Sequence, residues 1–106
     1  MVAKLRLGML PINIEIGRYK GVPRDQRWCA HCKNIVEDEP HIMFYCPMYD
    51  TLRQVLVNEA TELSVGFNIL SDAGKIGLLT THENLVRKTA NFLIEVMAKR
   101  QKLLRV

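Results

Sequence analysis

Every cysteine of this 106-residue chain lies between positions 29 and 46, in the stretch CAHCKNIVEDEPHIMFYC, together with two of its three histidines. The spacing is Cys29-x2-Cys32-x8-His41-x4-Cys46. A Cys-x-x-Cys pair lets two sulfurs meet one ion across a tight turn, and the eight residues that follow allow the chain to reverse and bring His41 and Cys46 to the same ion. Three thiolates and one imidazole make a four-coordinate set that suits zinc.

The second half of the set carries a geometric constraint. A helix advances about 100° per residue, so positions five apart cannot both face one ion from a regular helix. Pro40 can start a short turn carrying His41, and Cys46 stands just before Pro47, at a boundary that frees its side chain from helical geometry. His31, between the first two cysteines, is a rival ligand, but its neighbours would have to turn away for it to reach the ion, and His41 is preferred. The competing account is three buried free cysteines beside an incidental histidine, since free cysteine is among the most buried residue types. A thioredoxin-like redox pair is disfavoured because no βαβ pattern surrounds the pair.

The length fits one small domain over 1–106, with a zinc module at about 17–50 and a helical part at about 47–105. With a formal net charge of +4 the chain is mildly basic, which permits a polyanionic partner without requiring one. Lys4 and Arg6 interrupt what would have to be an apolar signal-peptide core, and no apolar run approaches the ~18 residues of a membrane span. An intracellular, reducing compartment, nucleus or cytoplasm, is therefore expected, with no secretion and no membrane partner. There an odd, clustered set of cysteines points to metal rather than to disulfides.

Ile12, Ile14 and Ile16 alternate with Asn13, Glu15 and Gly17, which reads as a strand, with Arg27-Trp28 as a short partner after the break at Gly21 and Pro23. Pro47 can open an amphipathic helix over about 47–63 that carries Leu52, Val55, Leu56, Ala60 and Leu63. Ser71 can cap a shorter helix over 72–79. Thr80 and Glu83 have capping-box spacing before a final helix to about 104, with Val86, Ala90, Leu93 and Met97 as its apolar stripe. The expected fold class is α+β, mostly α: a small zinc knuckle with a short β-hairpin, followed by two or three helices.

Between Arg18 and Lys33 five basic residues, Arg18, Lys20, Arg24, Arg27 and Lys33, share the strip with a single acid, Asp25, and with Tyr19 and Trp28. Basic groups follow phosphates and aromatic faces stack on unpaired bases, so the strip is a candidate single-strand platform beside the zinc. Core packing is the favoured role for Trp28, and Arg27 can equally pair with the acidic run Glu37 to Glu39. That run can orient His41, although a solvated loop face is preferred for it. Lys99, Arg100, Lys102 and Arg105 form a second basic cluster, suited either to phosphate contact or to a solvated helix end.

The stretch LPINIEIGRYKGVPRDQRWCAHCKNIVEDEPHIMFYCPMYDTLR resembles the zinc-binding segment that follows the polymerase domain in reverse transcriptases of non-LTR retrotransposons. The matching features are Gly17-Arg18-Tyr19, Arg27 ahead of the first cysteine, the acidic Glu37 to Glu39 before the histidine, Cys46-Pro47 with Tyr49, and Leu52-Arg53. The ending LVRKTANFLIEVMAKRQKLL looks like the basic helix that closes many such reading frames. The resemblance implies a CCHC zinc module that helps hold RNA or DNA next to a reverse transcriptase, with Cys29, Cys32, His41 and Cys46 as ligands. The chain holds no Tyr-x-Asp-Asp polymerase motif and is too short for a polymerase, so no enzyme activity is implied.

The expected function is thus a zinc-stabilised, non-catalytic module that binds single-stranded RNA or DNA and can accompany a reverse-transcriptase polypeptide. The competing functions are a structural zinc domain that serves protein–protein interaction, and a retroelement remnant without function.

Overall fold

The computed structural model describes residues 2–6 and 10–104. Its helices are α1 (Val2–Arg6), α2 (Asn13–Tyr19), α3 (Asp50–Leu63), α4 (Asp72–Thr81) and α5 (Val86–Leu104). Short helical turns lie at Arg24–Gln26, His41–Tyr45, Pro47–Tyr49 and Phe67–Ile69. α5 packs on α1, α3 and α4, and α1 also packs on α4. The buried side chains form one cluster that joins Cys29, Ile42, Met43 and Cys46 of the ligand-bearing segment to Leu56, Leu79, Phe92, Leu93 and Val96 of the helices. No helix among the described residues is long and apolar enough to cross a membrane.

Three long helices form close to where the sequence places them, over Asp50–Leu63, Asp72–Thr81 and Val86–Leu104. Pro47 starts a tight turn that runs directly into α3, in which Leu56 and Ala60 of the expected stripe are buried and Leu52 is half-buried, but Val55 and Leu63 are exposed and Arg53 is buried instead. Ser71 caps α4, its Oγ accepting from the Gly74 N–H at 3.1 Å. In α5 the buried face is Thr89, Phe92, Leu93, Val96 and Arg100. The expected stripe shares only Leu93 with it, because Val86, Ala90 and Met97 lie at the margins and are half-buried.

The expected β-hairpin is absent: the described residues hold no strand and no sheet, and the fold is helical rather than α+β. Residues 13–19, whose alternation reads as the first strand, form α2. Over five residues an Ile-x-Ile-x-Ile run satisfies both periods, since Ile12 and Ile16 are also one helical turn apart. A distant contact settles the choice: the Glu37 carboxylate accepts from the Asn13 N–H at 2.6 Å, and so caps a helix whose own N-cap, Ile12, has no side chain to do it. Arg27-Trp28 pairs with no strand, and Trp28 makes a single antiparallel bridge to Val36. The capping box at Thr80 and Glu83 is also corrected. Thr80 lies inside α4 and donates its hydroxyl to the Ile76 carbonyl at 2.8 Å, while α5 begins after a turn in which His82 Nδ1 accepts from the Asn84 N–H.

Candidate metal centre

Two short backbone devices bring the four ligand residues together. The first holds the Cys-x-x-Cys pair at the tip of a pinched loop. The Glu37 N–H donates to the Arg27 carbonyl at 2.8 Å, and the Cys29 N–H to the Ile35 carbonyl at 2.7 Å. The chain then reverses through Lys33, whose N–H donates to the Cys29 carbonyl at 2.7 Å and whose φ is 68°. A non-glycine residue in that left-handed region is strained, and the strain is the cost of folding Cys32 back towards Cys29.

The second device solves the five-residue problem. His41–Tyr45 is a π turn, closed by the Cys46 N–H donating to the His41 carbonyl at 2.7 Å. A π turn takes in one residue more than an α turn, so it places residues five apart on the same side. Asp38 caps it, its carboxylate accepting from the His41 N–H at 2.9 Å. Arg53 of α3 secures the far end by donating to the carbonyls of Ile42 (3.1 Å), Met43 (2.8 Å) and Cys46 (2.8 Å), while its guanidinium also pairs with Asp50 at 2.6 Å. From α4, Asp72 accepts from the Tyr45 hydroxyl, and the Lys75 ammonium lies 5.4 Å from the Phe44 ring centroid.

The result is a group of ligand atoms from Cys29, Cys32, His41 and Cys46 that all lie within 4.8 Å of one another. The Cys46 sulfur is 3.8 Å from that of Cys29 and 4.0 Å from that of Cys32. Disulfide sulfurs would be ~2.05 Å apart, so these are free thiols. Zn–S bonds of ~2.3 Å in a tetrahedron put sulfurs ~3.8 Å from one another, which matches the spacing found. His41 Nε2 is buried and has no hydrogen-bond partner, and a buried polar atom without a partner is rare unless something else binds it. His31 is exposed and stands outside the group.

The electrostatics of the protein chain favour the neutral forms of Cys32, His41 and Cys46 until a cation arrives. Burial pushes the Cys46 thiol up to about 12, with Cys29 and Cys32 adding to the effect, and raises that of Cys32 as well. Burial lowers the His41 imidazole despite the nearby carboxylates of Asp38 and Glu37. Three thiolates this close repel one another strongly, and a divalent cation among them removes that repulsion and displaces their protons. The residues therefore fit a resident metal ion.

The basic strip is largely exposed but not uniformly free. Arg18 pairs with Glu15 at 2.7 Å and lies 5.3 Å from the centre of the Tyr19 ring, which is 75% exposed. Lys20, Arg24 and Lys33 are exposed. The core packing expected of Trp28 is corrected: the residue is 49% exposed, and its indole N–H donates to the Asp25 carbonyl at 2.7 Å. Arg27 does not pair with the acidic run: its guanidinium donates to the carbonyls of Val22 and Ile14, both at 2.9 Å, and ties α2 to the loop after it. The second cluster is divided too. Arg100 is buried, Lys99 donates to the Met48 carbonyl, Lys102 is exposed, and Arg105 lies outside the described residues.

No family model, curated protein or solved structure matches this chain.

Around that centre stand residues whose roles the sequence does not mark. Glu37 is 1% exposed and is ion-paired with Arg100, itself 4% exposed, at 2.7 Å. Arg100 also donates to the Asn13 side chain, and Asn13 to the Trp28 carbonyl. One carboxylate thus joins α2, the cysteine loop and α5. The acidic run is accordingly not a solvated loop face: Glu37 is in the core, Asp38 caps the ligand turn, and Glu39 is partly buried, with its carboxyl raised by that burial. Glu37 and Arg100 are 63 residues apart, and no local pattern announces such a pair. Arg53 is visible in the sequence only as part of a Leu-Arg dipeptide, with nothing to indicate the carbonyls it reaches.

Proposed function

We propose that this chain is a zinc-stabilised, non-catalytic module that binds single-stranded nucleic acid, as the resemblance to the reverse-transcriptase zinc-binding segment of retroelements implies. The observation that carries the reading is the convergence of three sulfurs and one imidazole within 4.8 Å, at the spacing of a tetrahedral zinc site. A soft donor set of three sulfurs and one nitrogen selects zinc over magnesium or calcium. Four protein ligands leave no position for water or substrate, so the ion is structural: it fixes the loop, and the chain supplies the binding surface. That surface is the exposed strip beside the centre, Arg18, Tyr19, Lys20, Arg24, Trp28 and Lys33, with Arg27 holding its shape. RNA and DNA are both candidates, and a reverse-transcriptase polypeptide is a candidate companion.

A second reading, a zinc-held protein-interaction domain, draws on one specific feature. Between α3 and α5 runs a groove of about 390 Å³ whose lining joins Leu52, Val55, Leu56 and Phe92 to polar side chains such as Glu59 and Lys88, and Val55 is 65% exposed there.

The test is a titration of the zinc-loaded chain with labelled single-stranded RNA and DNA at several salt concentrations, with chelator-treated protein and Cys32→Ser as controls. Zinc-dependent binding that weakens steeply with salt supports the nucleic-acid function. A folded, zinc-loaded protein that binds neither strand rejects it and leaves the interaction domain or a functionless remnant.

A further inference from the structure

A shallow pocket of about 270 Å³ lies where α2 meets the turn at Arg24–Gln26, and its lining includes Ile16, Gly17, Lys20, Gln26, Arg27 and Trp28. We propose that this pocket takes one unpaired nucleobase of a single strand, stacked on Trp28, a deepening that rests on the nucleic-acid function proposed above.

Four features of the pocket point to that ligand. Its size is below the ~300–1,000 Å³ usual for drug-sized molecules, which suits a single flat ring system. Its shape is fixed by Arg27, whose stem crosses the backbone of α2 at Gly17, where an added Cβ would stand 2.6 Å from the Arg27 Cγ. With two guanidinium nitrogens held by the Val22 and Ile14 carbonyls, Arg27 forms a rigid wall.

Trp28 is the third feature. Tyr19, Tyr45 and Trp28 are exposed aromatic rings, and of these Trp28, about half exposed, is the one that lines the pocket. Its only side-chain donor is already taken by the Asp25 carbonyl, so what it offers outward is ring surface, which binds by stacking. The fourth feature is charge. Lys20 and Arg24 are exposed, with no acid paired to either among the described residues, which favours a planar group that carries phosphate over a cationic one. Gln26 is exposed and lines the pocket, and its amide can both donate to and accept from a base edge. A base in a duplex has both faces covered by its neighbours, so only an unpaired one can enter.

Trp28 is the only tryptophan of the chain, so intrinsic tryptophan fluorescence reports on this pocket alone. The experiment titrates the zinc-loaded full chain with a short single strand, with the same strand made abasic, and with a mononucleotide, following tryptophan emission and the anisotropy of a labelled strand. The intact strand is expected to quench Trp28 to saturation. The abasic strand should bind about 5- to 150-fold more weakly without quenching. Trp28→Ala should lose affinity by a similar factor while the dependence on salt stays the same, and Trp28→Phe, which keeps a stacking face, should retain most of it. Zinc content and circular dichroism establish that each variant is folded. Equal binding of intact and abasic strands, with no change in emission, overturns the base pocket and leaves the nucleic-acid function standing. Binding of neither strand removes that function and the pocket with it. A mononucleotide that quenches at the same concentration as the strand overturns the strand as the pocket's ligand.

Discussion

The ligand-bearing segment from Arg27 to Tyr49 and the body made by α3, α4 and α5 share one core but are held in different ways. The body is specified by apolar residues at helical spacing and by a local cap at Ser71. The segment has only short turns and a single bridge, and it is fixed by side chains that reach in from elsewhere: Arg53 from α3, Asp72 and Lys75 from α4, and Arg100 from α5. Helices can be written locally, whereas a loop built from short turns without a repeating hydrogen-bond ladder depends on distant partners and, on the function proposed above, on an ion.

On the function proposed above, chelation of zinc should separate the segment from the body most severely. Structural zinc contributes about 10–16 kcal/mol of apparent binding free energy in small zinc-folded peptides, most of it coupled to folding. Chelation should therefore strip hydrogen-exchange protection from residues 27–46 well before it does so from α3 and α5. Acid should act in the same direction, because protons compete for three thiolates and an imidazole. Uniform loss of protection along the chain would instead mean that segment and body fold as one unit.

The next largest effect is expected at the ion pair. Arg100→Met leaves Glu37 buried without its partner, a change that costs about 3–5 kcal/mol in comparable cases, to be read by urea denaturation. The double variant Glu37→Met with Arg100→Met should recover part of that loss, since no unpaired charge remains although the Asn13 N–H loses its cap. Arg53→Met removes the donor from three buried carbonyls and should cost about 2–4 kcal/mol. It should also weaken zinc binding, by about 10- to 100-fold if Arg53 behaves as a residue that supports ligands. A stability loss with unchanged zinc affinity would confine Arg53 to the body.

The smallest effect is local to the Cys-x-x-Cys loop. Lys33→Gly relieves a left-handed residue, but glycine gives the unfolded chain more freedom, so a net gain of only about 0.5–1 kcal/mol is expected in thermal melts of the zinc-loaded protein.

The same contrast explains how much of the molecule is legible in its sequence. The helix at Pro47, the Ser71 cap and the four ligand residues carry local signatures in spacing and punctuation, and each has its counterpart in the structure. The ligand set is legible because metal-site spacing is itself a local pattern. The isoleucine alternation is ambiguous, and the contact that makes it helical comes from Glu37, 24 residues away. The capping box fails because Thr80 finds a closer acceptor within α4. The size of Trp28 argues for the core, yet its N–H is satisfied at the surface. The buried roles of Glu37, Arg53 and Arg100 depend on tertiary geometry alone, and each looks in sequence like one more surface charge.

The central claim is that Cys29, Cys32, His41 and Cys46 hold one zinc ion, and zinc-edge X-ray absorption of the purified chain tests it most directly. The account predicts one zinc per chain with three sulfurs at ~2.3 Å and one nitrogen at ~2.0 Å, and a shell altered in Cys46→Ser and His41→Ala. A chain that retains no zinc, or a zinc shell made mostly of oxygen, would contradict it.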